Sequence, residues 1–475
     1  MIDLWRFEKM RRQNILFPVL IFAVLFSACK KDIITTDPSA KLSFSMDTLT
    51  FDTVFTTLGS TSLYFTVHNT NANKISISNI HLAGGDQSIF RLNIDGHQSN
   101  SVNDVEIPAH DSIYIFVAVT VDPNNDNNPF VMEDSVLFET NGNAQKVMLQ
   151  AWGQNAHFFY GETIGTQEWF PDKPYVIIHS ILVDSNQTLT IDPGCRIYMH
   201  ADSRFYVNGT LKVMGQLHDS VQFRGDRLET YYVDDPGNWE GIHLLRSSHD
   251  NEIDYAVIKE AIVGVRVDSL KETAAPKLTL KNSVIKYTLS SGILGITADI
   301  HGENCLIYSC GEWDTQLEYG GNYQFVNCTF ANYSNIAINH QSPVVRMSNY
   351  YYYKDDQGDH YLPADLNASF QNCIVYGSLD NELDRDNRNI AAFNYTFDHC
   401  NMKLADTVII SNSHFLSVQK NQDPKFKDVS YEKDNYHLDT TSPCIDAGLP
   451  NGIFLDLDGK TRTGNPDIGC YEFQQ

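Results

Sequence analysis

The chain has 475 residues, of which 42% are apolar, 12% aromatic and 20% charged, enough to bury a large core and too much for a disordered polymer. Lysine and arginine number 34 against 59 acidic residues, a net charge of −25. That field repels nucleic acid and anionic surfaces, so no nucleic-acid partner is expected.

Arg6, Lys9, Arg11 and Arg12 precede an apolar run from Ile15 to Phe26, and Ser27, Ala28 and Cys29 follow. A basic stretch, a short apolar stretch and a small-residue site make an export signal. The run is too short for a spanning helix, which needs about 20 residues. Met10 opens a more conventional signal by itself, so the start lies at Met1 or Met10. A cysteine directly after Ser27 and Ala28 resembles the lipobox of bacterial lipoproteins, with Phe26 where leucine is usual. With Lys30, Lys31 and Asp32 the pattern is similar to that of Bacteroidota lipoproteins. The resemblance implies a signal over residues 1–28, acylation of Cys29, a tether over 29–40 and attachment to the membrane through the lipid.

From Leu42 onward, short alternating runs are separated by turn clusters: Leu63 to His68, Ile75 to Ile80, Ile113 to Val121, Ser135 to Glu139 and Lys146 to Gln150. Alternation puts Ile113, Ile115, Val117, Val119 and Val121 on one face, so residues 41–156 are expected to form a β-sandwich. The succession Val67-His-Asn69, Ile107-Pro108, Val121-Asp-Pro123, Thr140-Asn-Gly142 and Trp152-Gly153 resembles the immunoglobulin-like domains of the abnormal-spindle and hydin type. Such domains are usually spacers or binding modules, which implies a presenting role here. Residues 157–174 are expected as a linker.

A repeat follows over residues 175–440. Asn282, Asn304, Asn327, Asn349 and Asn372 stand 22 or 23 residues apart. One position later come Ser283, Cys305, Cys328, Tyr350 and Cys373, and three positions later Ile285, Ile307, Phe330, Tyr352 and Val375. This period is too short for two-helix repeats and too poor in leucine for leucine-rich ones, so each repeat is one turn of a β solenoid. Both columns are predicted to face inward, which makes Cys305, Cys328, Cys373 and Cys400 buried thiols, while the five asparagines form a structural ladder along the axis. Thr188-Leu-Thr-Ile-Asp-Pro-Gly194, Val207-Asn-Gly-Thr-Leu211 and Trp239-Glu-Gly-Ile242 resemble right-handed parallel β-helix proteins of the pectate-lyase-like class. The fold expected is therefore all-β, an immunoglobulin-like sandwich followed by a right-handed parallel β-helix.

Ser442-Pro-Cys-Ile-Asp-Ala-Gly448, Asp456-Leu-Asp-Gly459 with Arg462, and Asp467-Ile-Gly-Cys-Tyr-Glu472 look like the ending of many secreted β-helix proteins. The resemblance implies a cap over residues 441–475. Cys444 and Cys470 replace small residues together there, and in an oxidising compartment they are expected to form a disulfide. No cofactor is required, although Asp456 and Asp458 could ligate calcium through hard oxygens.

Candidate chemistry is sparse. The hydrolases of this scaffold carry ordered signatures of which only Asp-Asp recurs, as Asp234-Asp235 and Asp355-Asp356; either pair could supply the two carboxylates of glycoside hydrolysis. The outstanding feature is Tyr350-Tyr-Tyr-Tyr353, followed by Lys354, Asp355, Asp356, Asp359, His360 and Tyr361. By the repeat register Tyr350 and Tyr352 point inward, and Tyr351 and Tyr353 outward. Flat rings beside Asp355, Asp356 and His360 suit sugar, since rings stack on C–H faces while acids accept hydroxyl protons. These readings predict an outer-membrane lipoprotein of the cell envelope that presents a β-helix for glycan or surface-partner binding without catalysis. A polysaccharide lyase or glycoside hydrolase is the alternative, and a structural surface protein the second.

Overall fold

The computed structural model describes residues 33–56, 58–122, 130–229, 232–270 and 276–474, so Cys29 lies outside the described residues. The chain divides into two units, Met1–Gln154 and Asn155–Gln475. Both are built of strands, and among the described residues no helix is long and apolar enough to cross a membrane.

The first unit pairs a six-stranded sheet with a five-stranded one over a single core. The alternation of Ser112–Val119 works as read: Ile113, Ile115, Val117 and Val119 are buried, and Tyr114 and Phe116 are exposed. Asn69 ties down the adjoining turns, its side-chain amide donating to the carbonyls of Asn73, Ile107 and Pro108 at 2.8 to 3.0 Å.

The second unit is a parallel sheet of 26 strands in which each repeat lies in register on the one before. Its strands fall into three columns. The first runs through Arg204–Val207, Gly241–Leu244, Val265–Asp268, Ser291–Glu303, Trp313–Val326, Val345–Ser348 and Leu383–Asp386. The second runs from Thr188–Ile191 to Phe393–Asp398, and the third from Arg196–Met199 to Asn401–Met402. Inward residues fill one continuous core, with a file of stacked rings, Phe325, Phe370, Phe397 and Phe415, at centroid spacings of 5.3, 4.6 and 5.8 Å. Gly302 stands where neighbouring repeats carry Leu280 and Phe325, because a Cβ there would lie 2.5 Å from the Phe325 ring. The expected linker is part of this sheet: His157–Ile164 and Gln167–Trp169 pair in parallel with Tyr175–Val183 and Thr188–Ile191.

The bend before the third column explains both sequence ladders. Tyr255, Asn282, Asn304, Asn327, Asn372 and His399 all take positive φ there, a conformation asparagine tolerates better than most residues. From Asn282 onward the residue after each bend is a small hydroxyl or thiol, and three of them accept the N–H of the repeat below: Ser283 from Ala256 at 3.0 Å, Cys328 from Cys305 at 3.5 Å and Cys400 from Cys373 at 3.4 Å. Each thiol donates to the carbonyl two residues back, at 3.3 to 3.4 Å. Burial pushes the thiols of Cys305, Cys328 and Cys373 well above their ordinary range, so these cysteines serve as packing and hydrogen-bonding groups.

Three expectations are corrected. Asn349 is not a rung, because Asn327 bonds directly to Asn372 at 2.9 Å, and the Asn349 amide donates instead to Asn387 and Ala391. The rungs are also not self-sufficient: Asn304 bonds Asn282 at 3.2 Å, but its other partners are Leu455 and Arg462. The carboxyl-terminal segment reaches these amides because it runs along the flank of the third column. Tyr436, Leu457 and Cys470 pack on Tyr287, Leu306 and Tyr308, and Leu438, Cys444 and Ile468 pack on Ile374 and Tyr376. The third correction concerns the bridge. Cys444 and Cys470 are free thiols held in separate apolar clusters, and burial pushes the Cys444 thiol up to about 12.

All eight described cysteines should therefore resist alkylation in the native protein and react in denaturant without reductant. Intact mass after maleimide labelling reads the count; two additions missing would restore a disulfide.

Candidate functional site

Alternation along the first column turns a set of side chains outward over four repeats. Leu294, Gln316, Arg346 and Asp384 align in register, as do Ile296 with Glu318 and Ser348 with Asp386. After Ser348 the chain leaves the sheet as an antiparallel hairpin, Tyr350–Asp355 against Gly358–Pro363. A run of tyrosines is a strong strand former, and Asp356 and Gln357 close the turn, with Gly358 at φ 119°. The inward placement of Tyr350 and Tyr352 is thus overturned: Tyr351 is 52%, Tyr352 47% and Tyr353 36% exposed, and Tyr350 is half-buried.

The hairpin carries two ring faces. Tyr350, Tyr352 and Tyr361 share one, where Arg388 lies 4.3 Å from the Tyr361 centroid and 5.4 Å from that of Tyr350. Tyr351, Tyr353 and His360 share the other, Tyr353 stacking on His360 at 4.7 Å while His360 pairs with Asp355 at 2.8 Å. Tyr319 approaches Tyr351 at 5.9 Å from the sheet corner, where its φ of 56° is unusual for a bulky residue. Between hairpin and sheet lies a cleft of about 530 Å³, walled by Leu294, Ile296 and the tyrosines and edged by Glu318, Arg346, Asp386 and Arg388.

Arg346 organises the charged edge. Its Nε donates to Glu318 at 2.6 Å, Nη1 to Asp384, and Nη2 to Asp386 at 3.2 Å. Glu318 also accepts from the Ser348 hydroxyl and from Gln316 at 3.0 Å, and Asp386 from the Tyr350 hydroxyl at 2.6 Å. The acids are thereby fixed as hydrogen-bond acceptors beside apolar rings. The sequence reading reached Tyr351, Tyr353, Asp355 and His360, which the structure brings together, with Asp356 at the tip. It missed Tyr319, Glu318, Arg346, Asp386 and Arg388; the available signal was the pair of runs Val345-Arg-Met-Ser348 and Leu383-Asp-Arg-Asp386, which hold Arg346 and Asp386 but none of the other three.

The other sequence candidates are engaged elsewhere. Asp234 pairs with Lys259 at 2.8 Å, in a network where Glu260 binds Lys259 and Arg224, and Asp434 binds Lys286, Tyr287 and Tyr308. That network fastens two loops to the third column, and Asp235 is held in its loop by its backbone, its N–H donating to Tyr232 and its carbonyl accepting from Asn238. Asp456 is buried with its carboxylate accepting the N–H groups of Asp458, Lys460 and Glu472, and Asp458 pairs with His437 and Lys460. Among the described residues no three His, Cys, Asp or Glu side chains are grouped to hold a metal ion. A second cleft, of about 690 Å³, covers Asn322, Asn367 and Asn394 in the second column, whose amides bond one another at 3.0 and 2.9 Å.

One polar cluster was not foreseen. His340 and Glu382 pair at 3.0 Å with both side chains fully buried, and Asp314, also fully buried, accepts from Asn332 at 3.1 Å. Asp314 Oδ2, Asn332 Oδ1 and His340 Nδ1 have no protein partner. Burial pushes the Asp314 carboxyl well above the usual carboxylate range, and substrate cannot reach it.

No family model matches the chain, and no curated protein matches it. Solved structures align over part of it: a family 123 glycoside hydrolase from Clostridium perfringens (9% identity, 24% of this chain and 26% of that chain, TM-score 0.18). The VesB protease of Vibrio cholerae (14%, 25% and 33%, TM-score 0.18) and the ASH / PapD-like domain 7 of human CEP192 (10%, 27% and 92%, TM-score 0.17) also align. The chain thus spans about a quarter and a third of the first two structures, and at these scores none bears on its function.

Asp314 generates a pH prediction. Its folded pKa lies above its unfolded value, so the folded state binds the extra proton and loses stability as pH rises above about 4. Asp314→Asn keeps the acceptor for Asn332 and removes the titration. Urea unfolding should show the variant gaining on the parent as pH rises from 4 to 7.5; a constant difference across that range would contradict a raised Asp314 pKa.

Proposed function

We propose that this chain is an outer-membrane lipoprotein, anchored through Cys29, whose immunoglobulin-like sandwich carries a right-handed parallel β-helix that binds glycan without turning it over. Parallel register between repeats in three columns supports the β-helix reading, and two facing sheets support the sandwich. The observation that carries the binding reading is the hairpin: exposed tyrosines on an insertion, beside a cleft edged by pre-paired carboxylates and arginines. Aromatic rings outside a core have no packing reason to be there, and sugars use ring faces and fixed acceptors together. The acids at the cleft are shared out on Arg346, which suits recognition better than the separate acid and base of hydrolysis.

The experiment is a glycan array on the mature chain, followed by calorimetry and assays for reducing-end and unsaturated products. Tyr351→Ala with Tyr353→Ala should abolish binding at the hairpin with Tm nearly unchanged, because outward side chains contribute little packing. Oligosaccharide products that vanish in Asp355→Asn or Asp356→Asn would instead promote the enzyme reading, and an empty array the structural one.

Anchoring is tested separately. Cys29→Ser should move the protein from the membrane pellet to the soluble fraction, since multiple acyl chains hold a protein stably; continued sedimentation would remove the lipid reading.

A further inference from the structure

In the first unit, the outward face of the five-stranded sheet carries chemistry that the sandwich has no structural use for. Strand register places Tyr64, Phe116, Asn93 and Gln98 in one row across Leu63–His68, Ser112–Val119, Phe90–Ile94 and His97–Gln98. At one strand spacing per step the row is about 14 Å long. Tyr114 flanks it: the Tyr64 ring lies 5.5 Å from Tyr114 and 5.6 Å from Phe116, and Tyr114 and Phe116 stack at 6.2 Å. All three rings are exposed, although the inward residues of the same strands already fill the core.

The row passes from rings to amides. A cleft of about 770 Å³ opens over Phe116, Ala118, Arg91, Asn93 and Gln98. The Asn93 side-chain oxygen is shielded from solvent and has no hydrogen-bond partner. Arg91 is committed to the backbone carbonyls of Ser88 and Phe90, and no other lysine or arginine lines the cleft.

From this row we infer that the sandwich is itself a binding module for a neutral oligosaccharide lying across the strands. Sugar C–H faces cover Tyr64 and Phe116, and sugar hydroxyls accept from the Asn93 amide nitrogen and exchange bonds with the exposed Gln98 amide. A flat apolar protein surface would cover the rings equally well, but it would bury the exposed Gln98 amide without a partner. A polyanion finds one cation, already engaged, on a chain of net charge −25. This site is independent of the hairpin, since the two rest on different residues in different units.

The test is calorimetry of the mature full-length chain against cello-, xylo-, manno- and maltohexaose. At least one should bind, and Tyr64→Ala with Phe116→Ala should weaken that binding tenfold or more, while Tyr351→Ala with Tyr353→Ala leaves this component in place. Asn93→Leu, which keeps the rings, should weaken it several-fold and guards against a misfolded double variant. The inference is overturned if no hexaose binds, if binding is indifferent to both sandwich variants, or if the parent self-associates and the ring variant does not. Loss of binding only in the hairpin variant would overturn it and leave the hairpin reading standing.

Discussion

Parallel stacking at one strand spacing is the constraint from which the second unit follows. Each repeat hydrogen-bonds to its neighbours through the backbone, so every inward position must match the same position above and below. The Phe325 to Phe415 file, the Ile and Val column and the Ser/Cys column all satisfy this condition. At the bend the backbone turns through positive φ, and the next N–H loses its strand partner. A hydroxyl or thiol from the adjoining repeat meets it, as Cys328 meets Cys305. Valine there would fill the space and orphan the amide.

This regularity made the columns legible in the sequence, and it also produced the main error. Asn327 and Asn372 are 45 residues apart, close to two repeats, so Asn349 between them has the spacing of a rung. In the structure Val326 pairs directly with Gln371, and the intervening chain is one repeat enlarged by the tyrosine hairpin. An insertion of about one period is invisible to spacing, and only strand partners distinguish it from a further turn. Tyr351 and Tyr353 are therefore outward as the register reads, but Tyr350 and Tyr352, which it turns inward, are not in the core.

The flank of the third column was illegible for a different reason. Asn304, Asn327 and Asn372 each divide their amides between a neighbouring rung and the carboxyl-terminal segment, with partners at Leu455, Asn451 and Leu449. Those contacts join residues 77 to 151 positions apart. No local pattern encodes them. The apolar outward tyrosines Tyr287, Tyr308 and Tyr376 were the available signal, since a sheet face that meets water rarely carries so many large rings. The cover also explains the free thiols: Cys444 and Cys470 stand at two places where the segment presses on the sheet, filling apolar gaps.

The difference between the covered and uncovered faces narrows where function can reside. On the third column the rings are buried under the chain's own end, and the charged groups around Asp234 and Asp434 are matched against Lys259 and Lys286. On the second column the outward amides bond along the axis to each other. Among the described residues of the three columns, the first combines exposed rings, a concave space and charged groups held in fixed orientation, and it does so where an insertion breaks the repeat. A stacked scaffold can tolerate such an insertion because Val326 and Gln371 remain paired beneath it, so the hairpin can change without disturbing the core. The same reasoning singles out Tyr64, Tyr114 and Phe116: in both units rings stand exposed on a surface whose fold is already satisfied without them.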